Sequence, residues 1–100
     1  MGLLDMVYLI KNLKAGSRPA PIGYYSWIDY WERKTGRKAP KCHKTECNEF
    51  ATDGAHVQLE DGWDEWYIVP LCHKCNMQRG LSFVVEGPLV PVNPNNSIRW

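Results

Sequence analysis

Leu71-Cys72-His73-Lys74-Cys75-Asn76 is the stretch that decides how this chain reads. Its cysteines are spaced C-x2-C. A second pair, spaced C-x4-C, stands upstream in Lys41-Cys42-His43-Lys44-Thr45-Glu46-Cys47. Two cysteines this close can turn inward from one short loop, so each pair supplies half of a tetrahedral site. We read Cys42, Cys47, Cys72 and Cys75 as four ligands of one structural Zn2+. The competing reading is two disulfides in a secreted domain. His43 and His73 lie beside cysteines and could each replace one as ligand, although four cysteines give both knuckles a regular spacing.

Outward from the second pair, Trp66-Tyr67-Ile68-Val69 has the β-branched and aromatic character of a strand, which Pro70 is expected to end. Upstream, Asp61-Gly62 is a preferred hairpin dipeptide, and Ala55-His56-Val57-Gln58-Leu59 reads as the partner strand. Glu49 to Asp53 reads as a loop. A short helix is expected over Cys72 to Gln78, with Gly80 as its stop. Beyond it, Ser82-Phe83-Val84-Val85-Glu86 reads as a strand. Gly87-Pro88 turns the chain, and Leu89-Val90-Pro91-Val92 is expected to lie back beside that strand. A polar tail follows from Asn93 to Ser97.

Towards the N-terminus, Ser26 to Thr35 reads as a helix. Ser26 is its N-cap, Asp29 approaches a capping box, and Gly36 closes it. Trp27, Tyr30, Trp31 and Lys34 share one face, which is read as core, with an exposed base-stacking surface as the alternative. Two prolines and two glycines make Lys14 to Gly23 a linker. Leu3, Met6, Val7, Ile10 and Leu13 recur at spacings of three and four and predict a first helix over Leu3 to Leu13. Leu4, Tyr8 and Leu9 widen its apolar stripe.

The chain has 100 residues, 44% of them hydrophobic and 23% charged, which fits one domain with a real core. A domain this small gains much from a metal staple. The N-terminal apolar run is too short to span a bilayer and lacks a basic leader, so a cytoplasmic, non-membrane protein is expected. A net charge of +1 gives no global drive toward polyanions. The dense basic run Arg33, Lys34, Arg37, Lys38, Lys41 and Lys44 is either a solvated face or a phosphate-contacting one. No glycine loop of the phosphate-binding type is present, and ligated cysteines exclude a nucleophilic thiolate.

Knuckle, hairpin and a helix opening with Leu-Cys-x-x-Cys-Asn resemble a treble-clef zinc finger. Ala55-His56-Val57 followed by Leu71 to Asn76 more narrowly resembles the HNH endonuclease superfamily, over about Lys41 to Arg79. The resemblance implies a small α+β fold: a ββα treble clef over 41–80, a helical part over 1–36, and a C-terminal strand and tail over 81–100, all in a single domain. It further implies that His56 matches the family's general base and Asn76 a ligand of a second, catalytic divalent metal. Ala55 stands where that family commonly places another metal ligand, and Tyr67 near its base-orienting asparagine. Glu49 or Asp53 could supply the missing ligand from the loop. His56 could equally be structural, bonded to a finger-loop carbonyl.

Three functions follow as expectations. The first is a non-catalytic zinc module that binds DNA, RNA or a protein partner. The second is a metal-dependent HNH-type nuclease acting through His56. The third is a small interaction protein that docks through its N-terminal helix.

Overall fold

The computed structural model of the chain describes residues 6–14, 18–62 and 64–92. Along them run β1 (Val7–Asn12), α1 (Trp27–Thr35), β2 (Asp53–Leu59), β3 (Trp66–Leu71), α2 (His73–Asn76), β4 (Ser82–Glu86) and β5 (Val90–Val92). The architecture is a small α+β one. The five strands form one antiparallel sheet in the order β4-β1-β2-β3-β5.

Residues 7–12 are a strand and not the helix expected there, while Leu3 and Leu4 lie outside the described residues. The chain carries both periods at once. Tyr8, Ile10 and Asn12 turn inward at period two, while Val7, Leu9 and Lys11 are exposed. Asn12, polar yet fully buried, hides the alternation from a hydropathy reading. Pairing with β2 on one side and β4 on the other satisfies the backbone, and this overrides the helical stripe.

α1 forms where its caps require. Ser26 Oγ accepts from the Asp29 N–H at 3.0 Å, and Gly36 adopts the left-handed conformation at φ 73°. The helix lies across β2 and β3, and Trp27, Trp31 and Ala39 pack with Ile68, Val90 and Val92. Trp27 and Trp31 are therefore core, not a stacking surface. Trp31 is 1% exposed and its indole N–H donates to the Pro88 carbonyl at 2.9 Å. The approach to β2 is close. A Cβ on Gly54 would stand 2.5 Å from Trp27 backbone and side-chain atoms, so only glycine fits. α1 leaves the β4–β1 half of this face open, where Val7, Leu9 and Val84 are exposed.

The opposite face carries a second core. Ile10, Ala55, Val57, Val69, Leu71 and Val85 close over Cys42, Cys72 and Cys75. β3 runs through Pro70 to Leu71 instead of ending at the proline. The Pro70 carbonyl accepts from His43 N–H at 2.9 Å, away from β2, so an N–H on that side would have had no place in the β2 ladder. β5 pairs with β3 on the far edge of the sheet, not with β4 as expected. The outer edge of β4 is already taken, because Thr45 N–H donates to Val84 and Glu86 N–H to His43. Crossing over instead buries Leu89 in one core and Val90 and Val92 in the other. α2 is shorter than expected: it ends at Asn76 with Met77 as its C-cap, and Gly80, at φ 80°, lies in the turn beyond and is not its stop. Among the described residues no helix is long and apolar enough to cross a membrane.

Candidate metal centre and cleft

Cys42 and Cys47 come from the loop before β2, and Cys72 and Cys75 from the end of β3 and the start of α2. The hairpin β2–β3 folds the second pair back onto the first. The four sulfurs all lie within 4.8 Å of one another. Cys47 and Cys72 sulfurs are 3.9 Å apart, and those of Cys75 and Cys47 3.8 Å. A tetrahedron with metal–sulfur bonds of about 2.3 Å has edges of about 3.8 Å. A disulfide would require about 2.05 Å, and all four cysteines are free. The geometry therefore fits a metal such as zinc and removes the disulfide reading.

The local electrostatics agree. Burial raises the Cys42 thiol, and burial together with the Cys72 side chain raises Cys75. Cys47 is lowered, chiefly by the Glu49 backbone N–H. Cys72 Sγ accepts from the Cys75 N–H at 3.4 Å. Burial biases Cys42 and Cys75 toward the neutral thiol, and a bound cation would offset that bias. Neither neighbouring histidine joins the cluster. His43 Nδ1 lies 2.8 Å from the Glu86 carbonyl, and His73 Nδ1 3.0 Å from Asp53 Oδ2.

A cleft of about 340 Å³ opens between the start of α1, the start of β2 and α2. His56 forms part of its lining and is only 6% exposed. The imidazole is held edge-on between Trp27 and Trp66, with centroids at 4.6 and 5.8 Å. Its Nε2 is buried without a hydrogen-bond partner. Burial, then the Arg18 and Arg79 charges, lower its pKa from 6.5 to about 4. His56 is thus neutral at ordinary pH, and no finger-loop carbonyl holds it among the described residues.

Asp53 sits at the mouth. Its Oδ2 accepts from Asn76 Nδ2 at 2.9 Å besides facing His73, and its Oδ1 accepts from Thr52 Oγ1 at 2.9 Å. Burial would raise this carboxyl, but hydrogen bonds from Asn76, His73 and Thr52 outweigh that and hold it below the usual range. Of the residues singled out in the sequence, His56 and Asn76 meet here, with Asp53 and not Glu49 beside them. Ala55 offers no donor and is buried toward the metal side. Tyr67 faces that same side and bonds Glu65 at 3.3 Å, so it does not orient His56, whose cross-strand partner is Ile68.

None of the six basic-run residues lines this cleft. Arg33 is held by the Gly23 carbonyl at 2.7 Å, by Asp29 at 3.5 Å, and over the Tyr24 ring at 4.5 Å. Lys34 sits 5.6 Å from the Tyr30 ring centroid, and Lys38 pairs with Glu32 at 4.0 Å. Lys44 donates to Gln78 at 3.0 Å. Arg37 and Lys41 are exposed elsewhere. The cleft's positive charge comes instead from Arg18 and Arg79, which the sequence did not mark. Arg18 lies over Trp66 at 5.0 Å and its carbonyl accepts from Trp27 Nε1, while Arg79 Nε donates to the Asn76 carbonyl at 2.7 Å. Arg18 lies in the proline-rich linker and Arg79 three residues past the end of α2, so no local pattern joins them. Asn12 was also missed. Its amide donates to the carbonyls of Asn76 and Gln78 at 2.8 and 3.2 Å, so β1 fixes the end of α2. Compared with models of protein families, with curated proteins and with solved structures, the chain matches none of them.

Proposed function

We propose that this chain is a structural-zinc module of treble-clef, HNH-like type that binds nucleic acid by seating its phosphate backbone in the His56 cleft. Cys42, Cys47, Cys72 and Cys75 hold the zinc. The order of knuckle, hairpin and short helix around those cysteines supports the likeness. The observation that carries the binding reading is the convergence of Arg18 and Arg79 on one concave site with a buried, neutral His56. Guanidinium groups fixed by stacking and backbone bonds suit phosphate oxygens, which accept bidentate donors.

The test is fluorescence anisotropy with labelled oligonucleotides over a salt series. Arg18→Ala and Arg79→Ala each weaken binding about tenfold and lower the slope of log affinity against log salt by about one. Arg33→Ala, whose charge is engaged on its own helix, leaves both unchanged. Absence of salt-dependent binding by the unaltered protein at low salt sinks the proposal.

One cluster favours a second reading, metal-dependent phosphodiester cleavage. Asp53 and Asn76 converge beside His73 on the wall of the cleft that contains His56. A second divalent metal held by Asp53 and Asn76 would supply charge stabilisation at a phosphate. His56, neutral above about pH 4, keeps a lone pair for a water proton. Binding without cleavage leads, because Ala55 supplies no ligand and the imidazole is nearly sealed. Nicking of supercoiled DNA with magnesium or manganese that vanishes in His56→Gln would reverse that order.

A further inference from the structure

Two aromatic side chains are exposed on backbone that the fold pins in place, each within two residues in the chain of a residue that lines the cleft. Tyr25 is 96% exposed and Phe50 76% exposed. Tyr25 directly precedes Ser26, which lines the cleft, and its N–H is fixed by Asp29 Oδ2 at 3.0 Å. Phe50 stands two residues before Thr52, another lining residue, and forms an antiparallel bridge with Lys41. Ala51 next to it packs onto the α1 core. Neither ring contributes to a core, unlike Trp27 and Trp31. Phe50 also has a cation across the bridge, since Lys41 is its antiparallel partner.

We infer that the ligand of the cleft is a single strand, with Tyr25 and Phe50 stacking unpaired bases while Arg18 and Arg79 hold the backbone. This rests on the nucleic-acid reading above and narrows it to one substrate class. Exposed rings close in the chain to an arginine-lined cleft match how sequence-tolerant single-strand binding is built, since every base offers a π-face and a duplex hides those faces in its stack. A duplex offers the same phosphates to the arginines but nothing to the rings.

The experiment compares a labelled oligothymidylate with a blunt duplex of mixed sequence. The unaltered protein binds the single strand at least tenfold more tightly. Tyr25→Ala and Phe50→Ala each weaken single-strand binding about tenfold and leave duplex binding unchanged. Both side chains are exposed, so unchanged near-UV circular dichroism is expected and confirms that the fold is retained. Equal affinity for the two probes, or ring deletions that change neither, overturns the single-strand inference while leaving phosphate binding intact. Loss of both probes in Arg18→Ala with the ring variants selective supports the two together. No binding of either probe by the unaltered protein removes both.

Discussion

The two faces of the sheet are stabilised by different means. On one, Ile10, Ala55, Val57, Val69, Leu71 and Val85 close over four cysteines whose sulfurs are spaced for a metal. On the other, Trp27 and Trp31 of α1 pack against Ile68, Val90 and Val92, and the helix start leaves a cleft at His56. The first face gathers its ligand atoms into one cluster suited to a single ion. The second relies on large aromatic rings, which pack well but leave gaps at their edges. A small domain can keep such a gap if a metal on the opposite face holds the same two strands together, as the cysteine cluster there would allow.

The comparison breaks most completely at the metal. Zinc binding contributes about 10–16 kcal/mol in small zinc peptides, against a whole-domain stability of about 5–15 kcal/mol. Cys75→Ala, or a strong chelator, is expected to abolish near-UV circular dichroism on both faces, because β2 and β3 belong to both cores. A metal-free protein that kept the tryptophan signals of the α1 face would show the two faces to be independent.

Next in size is Trp31→Ala on the α1 face. It is expected to cost about 3–5 kcal/mol through the cavity and the lost bond to Pro88. The metal content stays at one ion per chain by atomic absorption, and the denaturant midpoint falls. Gly54→Ala acts on the same face from the sheet side. Its methyl would overlap Trp27, with an expected loss of about 1–3 kcal/mol in thermal or denaturant unfolding.

His56 sharpens the comparison through pH. Its folded pKa is about 4, below an unfolded value of about 6.5. Between those values the unfolded state binds the extra proton, so stability rises with pH and is lost as pH falls. The contribution is complete above about pH 6.5 and lost by about pH 4, and it amounts to at most about 3 kcal/mol. Thiolate protonation also weakens the metal face in acid. The His56 effect is therefore read as the difference between the unaltered protein and His56→Gln across that window. Identical pH slopes for the two would show that the imidazole is not buried neutral.

Local signals were legible and distant ones were not. Ser26 and Gly36 marked α1 because capping acts within a few residues. The cysteine pairs marked the metal centre because their spacings are short. The core role of Trp27 and Trp31 followed from helical periodicity. The first strand was misread because Leu3 to Leu13 fits a helical stripe, and the period of two that wins depends on β2 and β4 lying on either side. The basic run read as either a solvated face or a phosphate-contacting one because its charges are close in sequence. In the fold Arg33, Lys38 and Lys44 find partners nearby, and the cleft draws its charge from Arg18 and Arg79, 61 positions apart.

The sequence by itself determined the four candidate ligands, the capped helix, the hairpin between the cysteine pairs and His56 on its first strand. Each is written in a spacing or a dipeptide whose physics is local. Only the tertiary structure decided that β1 is a strand, that β5 crosses to the far edge, and that Ala55 and Tyr67 turn toward the metal side. It also decided that Asp53, Asn76 and two arginines surround His56. Those outcomes depend on which edge of the sheet is already occupied and which face of a strand is already covered, and no window of sequence contains that competition.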